Sequence, residues 1–136
     1  MILFFTSVIC LVKKQIISKT FWCYKMLYIE TYYLLTYIME SFKQLISSST
    51  PVLVDFYADW CSPCKTMSTI LVKVKEIQSD RIRIIKINVD KNRATALHYS
   101  IQSVPTLMIF KDGKQLWRQS GVVGADELNR IIDMFK

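Results

Sequence analysis

From residue 40 onward the apolar positions change period several times, and each change marks an element. Phe42, Leu45 and Ile46 recur at helical spacing and predict a short helix over residues 40–47. The run Ser47-Ser48-Ser49-Thr50-Pro51 ends it. Residues 51–57 are almost continuously apolar, as in a central strand buried on both faces. From Ser62 to about Ser79, Cys64, Met67, Leu71 and Val74 share one helical face, with Ile70 beside them. Residues 81–89 predict a second strand through Ile82, Ile84, Ile85, Ile87 and Val89, and residues 91–99 a helix with Ala94 and Leu97 inward. Residues 106–111 form a third predicted strand. Asp112-Gly113 is a hairpin signal, and residues 114–119 return as an antiparallel edge strand. The last helix, residues 125–135, has Leu128, Ile131, Ile132 and Phe135 on its apolar face. Asp126 and Glu127 sit in its first turn, where the helix dipole favours negative charge. Alternation followed by a hairpin implies an α/β fold: a central mixed β-sheet flanked by helices on both faces.

Residues 1–38 break this pattern. They are crowded with Phe, Tyr, Ile and Leu, which sets an apolar N-terminal extension (1–38) apart from an ordinary globular domain (39–136). The apolar stretch over residues 2–12 is shorter than the roughly 20 residues that span a bilayer as a helix. Lys13 and Lys14 follow it, whereas a secretory signal carries its charge in front. A second stretch, residues 26–39, is interrupted by Glu30. Three readings stay open: a functional start at Met39, a membrane-associating extension, or an extra edge strand from residues 34–38.

The net charge of +7 is interspersed along the chain, without a basic stripe interleaved with aromatics, so nucleic acid is not an expected partner. Four cysteines are too few for a disulfide scaffold. Two of them, Cys61 and Cys64, stand in Trp60-Cys61-Ser62-Pro63-Cys64-Lys65, at a strand-to-helix junction, where a C-x-x-C reads as a redox pair. At a helix N-terminus free N–H groups and the dipole stabilise a thiolate and lower its pKa. Pro63 suits the first turn, where its missing N–H costs nothing. The helical phase turns Cys64 inward and leaves Cys61, at the cap, as the sulfur a partner can reach. A zinc site would need two further ligands, and the single histidine, His98, has no second ligand near it in sequence, so no metal is expected. Lys65 stands where haem attachment would want histidine.

Over about residues 40–136 the sequence resembles the thioredoxin family. Val52-Leu53-Val54-Asp55-Phe56-Tyr57-Ala58-Asp59-Trp60-Cys61-Ser62-Pro63-Cys64-Lys65 is similar to the family's active-site segment, and Lys86-Ile87-Asn88-Val89-Asp90 to its next strand. Ser103-Val104-Pro105-Thr106-Leu107 resembles its cis-proline loop. Phe110-Lys111-Asp112-Gly113-Lys114 and Gly121 match its closing hairpin and the glycine after it. The resemblance implies the thioredoxin fold and protein-disulfide reduction, with Cys61 attacking, Cys64 resolving, Asp55 as buried acid–base group and Lys86 as its neighbour. Trp60, Ser62, Pro63, Val104, Pro105, Thr106, Gly121 and Val122 would form or border the substrate-binding surface. Ser62 replaces a glycine common between the cysteines, Thr69 stands where many members have a helix-kinking proline, and Tyr57 where tryptophan is frequent. None of these removes a reacting group.

The residues themselves agree with that chemistry. Thiol–disulfide exchange needs one thiolate that attacks and a second thiol that expels the substrate. Asp55 lies mid-strand among apolar residues, where desolvation raises a carboxyl pKa, so it can take the proton from Cys64. The bland reading is a buried aspartate paired only with Lys86. Most X-Pro bonds are trans, and only the resemblance implies cis at Pro105. The expected activity is that of a monomeric, cytoplasmic thiol–disulfide oxidoreductase. It would use a redox-active Cys61–Cys64 disulfide and no bound cofactor. Its partners would be disulfide-containing proteins and a thioredoxin-reductase-type recycling enzyme, placing it in electron transport and cell redox homeostasis. The alternatives are a membrane-tethered or exported thiol oxidase or isomerase, membrane-associated through residues 1–38, and a non-catalytic binding module on the same fold.

Overall fold

The computed structural model of the protein describes Ile29 and residues 31–34, 36, 39 and 41–135. The chain divides into two units, Met1–Thr36 and Tyr37–Lys136. In the first, the described residues from Ile29 to Thr36 are helical and exposed. That corrects the edge-strand reading at Leu34 and Thr36; Leu35, Tyr37 and Ile38 lie outside the described residues, as do the stretches over residues 2–12 and 26–28. No glycine or proline occurs before Pro51, so nothing in the sequence punctuates a helix there. Among the described residues no helix is long and apolar enough to cross a membrane.

In the second unit a helical segment, residues 41–46 (α1), precedes β1 (Val52–Tyr57) and the long helix α2 (Ser62–Gln78). A single 3-10 turn, Ser79–Arg81, leads to β2 (Arg83–Asn88), α3 (Arg93–His98), β3 (Thr106–Lys111), β4 (Lys114–Ser120) and α4 (Ala125–Asp133). The sheet order is β2-β1-β3-β4. β1 pairs parallel with β2 and antiparallel with β3, and β4 returns antiparallel on the edge. The predicted mixed sheet is thus present, with β1 central. Asp112 and Gly113 make the hairpin turn with φ of 51° and 75°, the two positive values that a type I′ connection requires.

The alternation along β1 divides the core. Leu53 faces α2 and α4, where Met67, Leu71, Val74, Leu128 and Ile132 close over Leu107 and Ile109. Val52, Val54 and Phe56 face the other way, against Phe42 and Ile46 of α1 and against Met108 and Phe110. Edge-on and tilted contacts among Phe42, Phe56, Tyr99 and Phe110 fill that second layer. Asp55 has the parity of Leu53, so the carboxyl enters the α2 side of the sheet.

One helix face differs from expectation. Leu97 is 79% exposed, while Thr95 and Ala96 are buried. A helix of six residues has too few apolar positions to fix its phase. Here the phase is set by the chain that follows, where Tyr99 and Ile101 dock on the second layer.

Candidate active site

The site lies where β1 ends and α2 begins. Cys61 is the N-cap of α2 and Pro63 falls in the first turn. Cys61 and Cys64 form a disulfide, and the Cys64 N–H donates to Cys61 Sγ at 3.2 Å. The helix N-terminus therefore offers a donor to the capping sulfur, as the sequence predicts. Exposure does not separate the two sulfurs as expected: in the disulfide Cys61 is 3% exposed and Cys64 2%. Both are packed with Ala58 against Tyr57, Val89 and Val104, and this cover shields the cap as well as the inner position.

In the middle of β1, Asp55 is fully buried. Neither of its carboxyl oxygens has a hydrogen-bond partner among the described residues. Burial pushes its pKa up to about 6, and the Lys86 ammonium, 3.9 Å from Oδ2, pulls back against that rise. Parallel register sets Lys86 beside Asp55 across β1 and β2. The same ammonium lies 4.6 Å from the centre of the Tyr57 ring and donates to Ser68 Oγ. A carboxyl poised near neutral pH is suited to carry a proton in either direction.

Around the disulfide, the peptide bond between Val104 and Pro105 is cis. The Gly121 N–H donates to Pro105 O at 2.8 Å, so the loop before β3 and the end of β4 are joined. Gly121 has φ of 92°, a conformation that suits glycine. Ser62, Pro63, Gly121 and Val122 are exposed, Val104 is half-buried and Pro105 is buried. Trp60 is 74% exposed, and its indole Nε1–H donates to Asp90 Oδ2 at 3.0 Å. Thr106, expected to border the substrate surface, follows Pro105 into β3. Its side chain is buried and its hydroxyl pairs with Ser103 O at 2.7 Å and with Ser120 Oγ at 2.8 Å, so it braces β3 to β4. Among the described residues no cluster of His, Cys, Asp and Glu is arranged to hold a metal.

Two polar contacts escaped the sequence reading. Asp90 orients Trp60 from 30 residues away. Ser68 joins Lys86 to the Cys64 carbonyl, which its hydroxyl reaches at 2.9 Å. The available signal for Ser68 was its spacing, one helical turn after Cys64.

The thioredoxin family model matches residues 34–135. The chain belongs to the thioredoxin family. It is 42% identical over 94 residues to thioredoxin 1 of Synechococcus elongatus, covering 68% of this chain and 88% of that one. It is 37% identical over 95 residues to thioredoxin of Rickettsia prowazekii, covering 69% and 88% of the two chains. A mutant thioredoxin from Halobacterium salinarum superposes with a TM-score of 0.64 at 35% identity, covering 69% of this chain and 81% of that one. With the C-x-x-C disulfide in place, this thioredoxin-family chain is a thiol–disulfide oxidoreductase, an enzyme of protein-disulfide reduction. Membership implies disulfide-containing proteins as substrates and recycling by a reductase.

Proposed function

We propose that Cys61 is the attacking sulfur and Cys64 the resolving one, with Asp55 as the proton acceptor. The observation that carries this reading is a buried, unbonded carboxyl joined through Lys86 and Ser68 to the backbone of Cys64 in the capped disulfide. In the reduced protein the Cys61 thiolate attacks one sulfur of a substrate disulfide. A mixed disulfide forms and the first substrate thiolate leaves. Cys64 then gives its proton to the Asp55 carboxylate and attacks Cys61 Sγ, which breaks the mixed disulfide and releases the second substrate thiolate. The two electrons come from the two thiols, so the cycle needs no bound organic cofactor or metal. Lys86 acts on the charge of Asp55. Trp60, Ser62, Pro63, Val104, Pro105, Gly121 and Val122 form the substrate surface, where extended backbone can pair beside Val104 as a strand adds to a sheet edge.

The oxidised protein is returned to its dithiol by a thioredoxin-reductase-type enzyme, in a reducing compartment such as the cytoplasm, and the protein works as a monomer. The functional domain is residues 39–136, a range that holds all but the first five residues of the family match over 34–135. Insulin reduction by the full chain and by a chain starting at Met39 tests both points. Equal rates are expected. The mixed-disulfide step is tested with Cys64→Ser, which should accumulate a trapped substrate adduct on Cys61. An adduct that forms instead on Cys64, in Cys61→Ser, would reverse the roles.

A further inference from the structure

We propose that Ser68 is a positioning residue whose hydroxyl holds the Lys86 ammonium back from the Asp55 carboxyl and ties it to the backbone of Cys64. The hydroxyl has one proton and two lone pairs. It donates to Cys64 O at 2.9 Å, which leaves its lone pairs to receive Lys86 Nζ at 2.5 Å. Both bonds are thus compatible with a single hydroxyl orientation. The same ammonium stands 3.9 Å from Asp55 Oδ2, beyond hydrogen-bond distance, while both oxygens of that buried carboxyl lack a partner among the described residues.

An ammonium so close to an unbonded carboxylate is drawn toward it. Closing to about 2.8 Å would make a direct charge-assisted bond. Two contacts oppose that closure: the bond to Ser68 and the Tyr57 ring. The backbones do not need to move, because Lys86 and Asp55 are already register partners.

Among the described residues no other charged group competes for the carboxyl. On β3 the register partner of Asp55 is Leu107. The helices packed on this face, α2 and α4, present Met67, Leu71, Leu128 and Ile132, and the disulfide carries no charge. Lys86 is the one charge acting on Asp55 among the described residues. Where Ser68 places that ammonium therefore decides how readily Asp55 gives up its proton. The bond to Cys64 O links this setting to the turn that carries the resolving cysteine.

The inference rests on the reading of Asp55 as the proton acceptor, but its test does not depend on turnover. The Asp55 carboxyl carbon is followed by NMR against pH in the oxidised, 13C-labelled full chain. Ser68→Ala should lower the midpoint by about one pH unit, as an ammonium in direct contact does to a carboxyl. Ser68→Thr, which keeps a hydroxyl, should restore the original midpoint. In a Lys86→Met background, Ser68→Ala should leave the midpoint unmoved. A midpoint that stays or rises in Ser68→Ala, or falls equally without Lys86, overturns the proposal. If Asp55 proved dispensable for insulin reduction, the catalytic reading would fail while these titrations still measured the placement of the ammonium.

Discussion

The two ends of α2 both bury polar chemistry, and they treat it in opposite ways. At the C-terminal end, Gln78 is buried and its amide Nε2 donates to Asn129 Oδ1 and Asp133 Oδ1, both at 3.0 Å. These bonds pin the end of α2 to α4 across more than 50 residues of sequence, with a group that cannot titrate. At the N-terminal end, Asp55 is equally buried and its oxygens are left without hydrogen bonds. One polar side chain is bonded through its Nε2, with only its Oε1 left without a partner among the described residues, and fixes packing. The other is unbonded, costs stability and gains a pKa near neutrality. A buried group deprived of partners beside a reactive pair is a mark of a working site, because perturbed acids concentrate there.

The sharpest way to break the contrast is at the sulfurs. Cys61→Ser removes the nucleophile and should abolish insulin reduction. Gln78→Ala, at the other end of the same helix, should leave kcat at 25 °C unchanged. Measuring both under identical conditions separates chemistry from packing. Residual reduction by Cys61→Ser would show that Cys64 attacks on its own.

Asp55→Asn probes the cost of the unbonded carboxyl. Its folded pKa of about 6 lies above the ordinary 3.8, so the folded state keeps a proton that the unfolded state releases. The stability it contributes is full below pH 3.8 and is lost as pH rises through about 6. Above that the ionised side chain burdens the fold by about 3 kcal/mol, at roughly 1.4 kcal/mol per pH unit. The asparagine variant should therefore be more stable by about that amount at pH 8 and gain little at pH 4. Denaturant unfolding of the oxidised proteins across this range checks the sign. Turnover near pH 7 should fall roughly tenfold or more, because the proton acceptor is gone. A stability difference that is flat with pH would mean that Asp55 is not the titrating group.

How much of this was legible in the sequence follows the same division. The limits of β3, the turn at Asp112-Gly113 and the start of α2 at Ser62 agree with the reading because local chemistry dictates them: strand propensity, positive-φ turn residues, and a proline in the first helical turn. Asp55 stood out as a charge in an apolar run. Gln78 did not, although it continues the inward stripe of Met67, Leu71 and Val74, because a polar residue on that stripe shows its purpose only once Asn129 and Asp133 arrive from α4. Leu97 and the cover over Cys61 were hidden for the same reason: tertiary packing sets the phase of α3 and the exposure of the sulfurs. Upstream, an apolar and aromatic run with no breaker fits helix or strand by composition, and it is helical at the described residues.

Gln78→Ala should lower stability by about 2 kcal/mol, through two lost hydrogen bonds and the space left behind. Unlike that of Asp55→Asn, this change should stay nearly constant between pH 5 and 8, since the amide carries no proton to titrate. A loss that is confined to one side of pH 6 would tie the two ends of α2 together and remove the contrast between them.

The smallest expected effect lies at the rim of the site. Trp60 is exposed, yet its indole is held by Asp90 through a bond between side chains that solvent can reach. An exposed hydrogen bond to a charged acceptor contributes about 1 kcal/mol or less to stability. Asp90→Ala should therefore change the unfolding midpoint very little. It frees the indole to sample other rotamers, and a protein substrate must then immobilise it on binding, at a cost of about 0.5–1.5 kcal/mol. The result should be a rise of several-fold in KM for insulin with kcat unchanged, since Trp60 touches no reacting sulfur in the proposed cycle. Asp90→Asn keeps an acceptor oxygen for the indole and should recover most of the loss. If Asp90→Ala instead lowers kcat and leaves KM alone, Asp90 acts on the dithiol rather than on the binding surface, and the working end of α2 extends further than its capped disulfide and buried carboxyl.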